Sequence, residues 1–117
     1  MEYVDGFMSA VPTANKDAYR EHASRVSELF IQYGALSFVE CWGDDIPPGE
    51  KTSMPMAVQC GEDETVVFSW ITWPSKAVRD EGMQKVMEDD LGKAEFDAMP
   101  FDATRLIYGG FTVLVNR

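Results

Sequence analysis

The sequence predicts a single α+β domain with the element order βαββαβ. Three observations carry that prediction. The chain has 117 residues, one domain's worth, and can bury a core without staples. Four segments rich in β-branched and aromatic residues are interleaved with two whose apolar residues recur at helical spacing. Each half of the chain then passes from strand to helix through the same stop-and-cap chemistry, Pro12-Thr13 and Pro74-Ser75. That recurrence reads equally as a weak internal repeat or as two separate uses of one turn chemistry.

Tyr3 to Val11 alternates and ends at Pro12, which makes it the first strand. Tyr19, Ala23, Val26, Phe30 and Tyr33 then mark one face of a helix. Thr13 or Asn15 can cap its start, and Gly34 stands where a left-handed C-terminal cap is wanted. Leu36 to Trp42 is the second strand. Asp44 to Gly61 is a long connection, in which apolar Met54 to Cys60 reads as either a short helix or a strand. Thr65 to Trp73 is the clearest strand, nearly all β-branched or aromatic. Ser75 caps a second helix, Lys76 to about Asp89, with Val78, Gly82, Val86 and Met83 or Met87 inward. Asp90 to Thr104 reads as polar and irregular, and Leu106 to Val115 as the last strand. With right-handed crossovers the simplest assembly is a four-stranded antiparallel sheet, order 4-1-3-2, with both helices on one face.

Composition narrows the function classes. Ten Lys and Arg stand against twenty Asp and Glu, a net charge of −10, which disfavours nucleic acid and anionic membrane surfaces as partners. No stretch reaches the length needed to span a bilayer, and Met1 to Asp5 offers no basic region or signal core. The two cysteines form no Cys-x-x-Cys pair, and one His leaves no His-rich metal site. The expected setting is a reducing cytoplasm, with neither metal nor cofactor.

Sorting strand residues by parity gives two unlike surfaces. Val4, Met8, Val39, Cys41, Val67, Ser69, Ile71, Ile107 and Phe111 are mostly small or aliphatic and suit packing under the helices. Tyr3, Asp5, Phe7, Phe38, Glu40, Trp42, Phe68, Trp70 and Tyr108 include seven aromatics, too large a patch to meet water on a monomer. A second copy is the expected cover, two sheets facing to make a closed or nearly closed barrel; the alternative cover is the Asp44 to Gly61 segment.

Asp5 and Glu40 are the candidate proton-transfer residues. A carboxylate among aromatics is costly unless paired, and burial raises its pKa toward the range where it can act as a base or acid. With strand three between them the two acids would stand roughly 10 Å apart. Trp42, Phe68, Trp70 and Tyr108 would wall a slot for a flat or apolar ligand. The competing reading is that each acid bonds a Tyr, a Trp N–H or Arg105 and fixes the interface. His22 is expected on the helix side or at the rim, away from the aromatic face, and satisfied by a neighbour. Cys41 is expected buried and inert, and Cys60 more exposed but without a basic neighbour in sequence. Gly109-Gly110 marks a bulge or close approach, or else leaves room for a ligand beside Tyr108.

Several runs carry a resemblance. Tyr3-Val4-Asp5-Gly6-Phe7, Val11-Pro12-Thr13-Ala14-Asn15-Lys16 and Val39-Glu40-Cys41-Trp42-Gly43-Asp44-Asp45 are similar to a small bacterial family of unknown function, YbaA-like (domain of unknown function 1428). So are Glu64 to Trp70, Trp73 to Asp80 and Ile107 to Phe111. That family resembles the dimeric α/β-barrel superfamily, whose subunits are ferredoxin-like. The resemblance implies a homodimer and raises the expectation of a small-molecule site, without naming a substrate. The superfamily's haem-degrading members are not implied, because nothing marks His22 as an axial ligand. Three functions follow as expectations. The first is a cofactor-independent small-molecule enzyme, by proton transfer or monooxygenase-like chemistry. The second is a non-catalytic ligand-binding or stress-related module, and the third a purely structural dimer. A cavity in the interior separates the first two from the third.

Overall fold

The computed structural model describes residues 2–117. Its elements are β1 (Tyr3–Pro12), α1 (Lys16–Gln32), β2 (Ser37–Trp42), α2 (Met54–Ala57), β3 (Glu64–Trp73), α3 (Lys76–Glu88), α4 (Asp90–Asp97) and β4 (Ile107–Thr112). The four strands form one antiparallel sheet in the order β2-β3-β1-β4, the order expected from the sequence.

The helices start and stop where local chemistry directs. A 3-10 turn over Thr13–Asn15 leads into α1, with neither side chain capping it, and Gly34 follows the helix at φ 114°. Ser75 caps α3 by accepting from the Val78 N–H at 3.2 Å. Asp89 caps α4 by accepting from the Leu91 N–H at 2.9 Å and also takes the Tyr33 phenol at 2.7 Å. The segment expected to be irregular from Asp90 therefore opens as a helix, and Met54 to Cys60 holds the short helix α2 over Met54–Ala57 and no strand.

Cross-strand register fixes the two faces and corrects the parity reading. Asp5 pairs with Ile71 and Gly110, Phe7 with Ser69 and Tyr108, and Glu40 with Ser69. Tyr3, Asp5, Phe7, Ser9, Val11, Phe38, Glu40, Trp42, Val67, Ser69, Ile71, Trp73 and Tyr108 thus share one face. The expected grouping of β1, β2 and β4 stands, but β3 is shifted by one residue. That shift moves Val67, Ser69 and Ile71 to the acid-bearing face and Phe68 and Trp70 to the other.

The helices cover the acid-bearing face, not the aliphatic one. Val26, Leu29 and Phe30 of α1 and Val86 of α3 pack with Tyr3, Ile71 and Trp73 in the main core. Phe30 meets Trp73 edge-on at 6.0 Å and Phe38 at 5.5 Å between ring centroids. Helix aromatics thus pack onto sheet aromatics, a pairing that parity alone does not reveal. Gly82 lets α3 lie close: a Cβ there would sit 2.6 Å from the Trp73 ring and 2.5 Å from the Tyr33 carbonyl oxygen.

The opposite face carries Val4, Met8, Ala10, Val39, Cys41, Val66, Phe68, Trp70, Ile107 and Phe111. One end of it is covered by the long connection, where buried Val58 packs on Ala10 and Val66, with Ile46 and Cys60 beside them. Cys41 is exposed here, against the expectation of a buried thiol. Arg105 clips the connection down, donating to the Gln59 carbonyl at 2.7 Å and to both oxygens of Glu64 at 2.7 and 2.6 Å. Arg105 is thereby engaged with Glu64 and Asp102, not with Asp5 or Glu40.

Candidate functional site

Between the acid-bearing face and the helices lies a cavity of about 520 Å³. That is within the range of small-molecule sites. Its floor is the sheet, with Asp5, Phe7, Ser9, Phe38, Glu40, Ser69 and Ile71. Its roof comes from α1, α3 and α4 and the segment after them, including Tyr19, His22, Phe30, Met83, Phe96, Met99 and Phe101. The exposed lining residues Met87, Tyr108 and Gly110 place its mouth beside β4. A second hollow of about 280 Å³ lies at the β2 edge, lined by Lys16, Arg20, Ser24, Cys41 and Trp42. Tyr19, Phe38 and Glu40 border both.

Glu40 stands on the edge strand and is half-buried. Tyr19 on α1 donates to its Oε2 at 2.7 Å. Burial pushes the Glu40 carboxyl above its ordinary range, and the hydroxyls of Tyr19 and Ser69 pull it part of the way back. The Tyr19 phenol is pushed far up, first by its own burial and then by the Glu40 charge, so it stays a donor.

Asp5 has a different environment. It is buried and accepts from the Trp73 indole N–H at 3.0 Å and from Arg79 Nε at 3.2 Å to each oxygen. Arg79 also donates to the Tyr3 hydroxyl at 3.3 Å and to Asp80 at 2.7 Å, and its guanidinium lies 4.8 Å from the Tyr3 ring centre. Gly110 is the close approach expected of it: a Cβ there would fall 2.2 Å from Arg79 Nη2 and 2.4 Å from the Tyr3 hydroxyl. This cluster ties α3 to β1, β3 and β4 and leaves Asp5 fully engaged.

Asp5 and Glu40 share the cavity but sit two strands and one row apart, about 12 Å. Ile71 and Ser69 stand between them in the sheet, in place of the expected Phe68 and Trp70. Tyr108 lines the cavity, stacked on Phe7 at 6.3 Å between ring centres. Trp42 lines the edge hollow under Lys16, whose Nζ lies 5.5 Å from the ring. Phe68 and Trp70 contact each other on the opposite face, at 5.7 Å, and line neither space.

His22 departs from the expected rim position. It is buried, lines the cavity, and its Nδ1 lies 2.8 Å from Glu95 Oε2. Arg25 Nε contacts the other Glu95 oxygen, and Arg25 Nη2 reaches Oε2 at 3.3 Å. Arg25 above all, with His22, holds the Glu95 carboxyl below its ordinary range. Glu95 had no place among the sequence candidates. The signal for it was the cap at Asp89 followed by Leu91, Glu95, Phe96 and Met99 at helical spacing, obscured by Gly92 and Pro100. Burial pushes the Cys60 thiol up, as does nearby Glu64, which suits an inert cysteine. Among the described residues no three His, Cys, Asp or Glu side chains converge where they could hold a metal ion, and no helix is long and apolar enough to cross a membrane.

The chain is 53% identical over 116 residues to "Uncharacterized protein YbaA" of Escherichia coli (strain K12), covering 99% of each sequence. The same name, identity and coverage hold for its relative in Shigella flexneri. The family model "Protein of unknown function (DUF1428)" matches residues 2–103. The chain therefore belongs to the DUF1428 family, whose function its description leaves open.

Proposed function

We propose that this chain binds a small, largely apolar molecule between its sheet and its helices and moves a proton on it without a cofactor, with Glu40 as the group that takes or gives the proton. One observation carries the reading: Glu40, the one of the cavity's two carboxyl groups that no cation holds, is buried enough to keep its proton more tightly than usual and lines a 520 Å³ cavity whose other walls are mostly apolar. The site belongs to one subunit and lies under its helices, not between two sheets. Asp5 takes a supporting part, since Arg79 and Trp73 already use both its oxygens.

The subunit reads as ferredoxin-like from its strand order and from α1 and α3 packing on one face. The apolar face left uncovered supports a homodimer in which two such sheets meet, as in dimeric α/β barrels.

Propiophenone, an enolisable aryl ketone, tests the site. The expected result is a raised melting temperature and faster exchange of its α-protons in deuterium oxide, followed by NMR. Glu40→Gln should keep the thermal shift and lose roughly a hundredfold in exchange. A thermal shift without any exchange would mark a binding module instead, and neither effect would remove the reading altogether.

A further inference from the structure

The wall of the cavity opposite the sheet carries the only imidazole in the chain. His22 Nδ1 is 2.8 Å from Glu95 Oε2. Arg25, one turn further along α1, contacts both oxygens of Glu95. With that cation beside it Glu95 is an acceptor, so Nδ1 of the neutral ring carries the proton and Nε2 the lone pair. Among the described residues no buried side-chain nitrogen or oxygen lacks a partner, and the ring's one hydrogen bond is at Nδ1. Nε2 is therefore not enclosed, and the space that the ring lines is the cavity. Tyr19 stands between the two titratable groups, its ring 6.2 Å from that of His22 and its hydroxyl on Glu40.

Glu40 by itself supports proton movement at one atom of a ligand. An acid together with a carboxylate-oriented imidazole supports proton movement at two atoms of one ligand. Resting on the reading that the cavity carries proton transfer, we propose that His22 is its second acid–base group, that Glu95 positions it, and that the substrates are enolisable carbonyl compounds with an apolar or aromatic body. One group removes a proton from the carbon beside the carbonyl. The C–H electron pair becomes the C=C bond of an enol, and the carbonyl π pair takes a proton from the other group. Reversal at the same carbon, or at the far carbon of a dienol where a further C=C is conjugated to the carbonyl, returns both groups to their starting state with no oxidant or other reactant.

Because His22 is the sole histidine, diethyl pyrocarbonate reports on it without ambiguity. The folded full-length chain should take one histidine adduct, and saturating propiophenone should slow the reaction. A ring that reacts only after unfolding overturns the proposal, since Nε2 would then not face the cavity. Nitrogen NMR should show the ring proton on Nδ1. In Glu95→Gln the amide oxygen goes to the Arg25 Nε donor and the NH2 group is left to the ring, so the Nε2–H tautomer should appear; an unchanged tautomer overturns the positioning role.

His22→Gln should cut propiophenone exchange roughly a hundredfold and keep the thermal shift. Exchange lost in Glu40→Gln but unaltered in His22→Gln overturns this proposal and leaves the cavity reading in place. Exchange absent from the wild type removes both. Should His22→Gln fail to fold, Glu95→Gln takes its place, and an altered tautomer with an unaltered exchange rate counts against His22.

Discussion

Tyr19 on the first helix donates its phenol proton to Glu40 on the edge strand across 2.7 Å, and this bond joins the roof of the cavity to the acid in its floor. Removing it with Tyr19→Phe should cost roughly 1 kcal/mol, the net value of one hydrogen bond, measured by urea unfolding. The same change should raise the Glu40 pKa further, because the phenol is one of the two donors that steady the charged form. Glu40→Gln tests the electrostatics directly. Folded Glu40 keeps its proton to a higher pH than the unfolded chain does, so the folded state binds more protons in the window above the ordinary glutamate range, and stability falls as pH rises through it. Glutamine cannot ionise but still accepts from Tyr19. The melting temperature of Glu40→Gln relative to wild type should therefore increase from pH 4 to pH 8; a flat or opposite trend would mean that burial does not dominate at this site.

Asp5 should matter to stability and not to turnover. Asp5→Ala removes the buried acceptor of Arg79 Nε, leaves the fully buried Trp73 indole without a partner, and should cost about 3 kcal/mol, the usual penalty for breaking a buried pair. Asp5→Asn should cost less, since the amide oxygen can still accept from one of the two donors. Neither should abolish propiophenone exchange in protein that remains folded. Loss of exchange in folded Asp5→Asn, with binding intact, would transfer the catalytic part from Glu40 to Asp5.

Glu64 and Arg105 give the acid limb of stability. The Arg105 guanidinium, helped by the Gly61 N–H, holds the Glu64 carboxyl down to about 2. Its folded pKa lies below its unfolded value, so its contribution is present above the ordinary glutamate range and is lost as pH falls toward 2. Glu64→Gln should flatten stability against pH over that interval and loosen the Asp44 to Gly61 connection. Hydrogen exchange at Val58 and Cys60 would register the loosening.

The four strands and two main helices were legible because each rests on local chemistry: alternation or a run of β-branched and aromatic residues, a helical stripe, and the Ser75 cap; the strand order followed from right-handed crossovers. The faces were not, and β3 shows why. Val66, Phe68 and Trp70 on one side and Val67, Ile71 and Trp73 on the other are equally apolar, so β3 carries no alternation with which to set its register. Only pairing with β1, Phe7 opposite Ser69, decides it. The consequences for the site were mixed. Glu40 and Tyr108 line one cavity, but it lies under the helices and not in the expected space between two sheets, while Phe68 and Trp70 lie on the opposite face. His22 was noticed but misplaced, because its partner Glu95 is 73 residues away in a helix hidden by a glycine and a proline.

The face that β3 turns away from the helices carries the last prediction. Phe68 is 41% exposed, Ile107 44% and Phe111 60%, in a sheet whose far end is already covered by Val58. Beyond β4 the tail adds Leu114, 95% exposed. A net charge of −10 keeps such a chain soluble but does not shelter aromatic rings from water. A second copy offers the matching surface by symmetry, and sedimentation equilibrium should give the mass of two chains at micromolar concentration. Phe68→Arg together with Phe111→Arg would place four cations in that contact and should return the monomer. The cavity lies on the other side of the sheet, so the thermal shift with propiophenone should survive in the double variant. A wild-type chain that sediments as a monomer would leave this face without a partner of its own kind, while the cavity and its acid would be untouched.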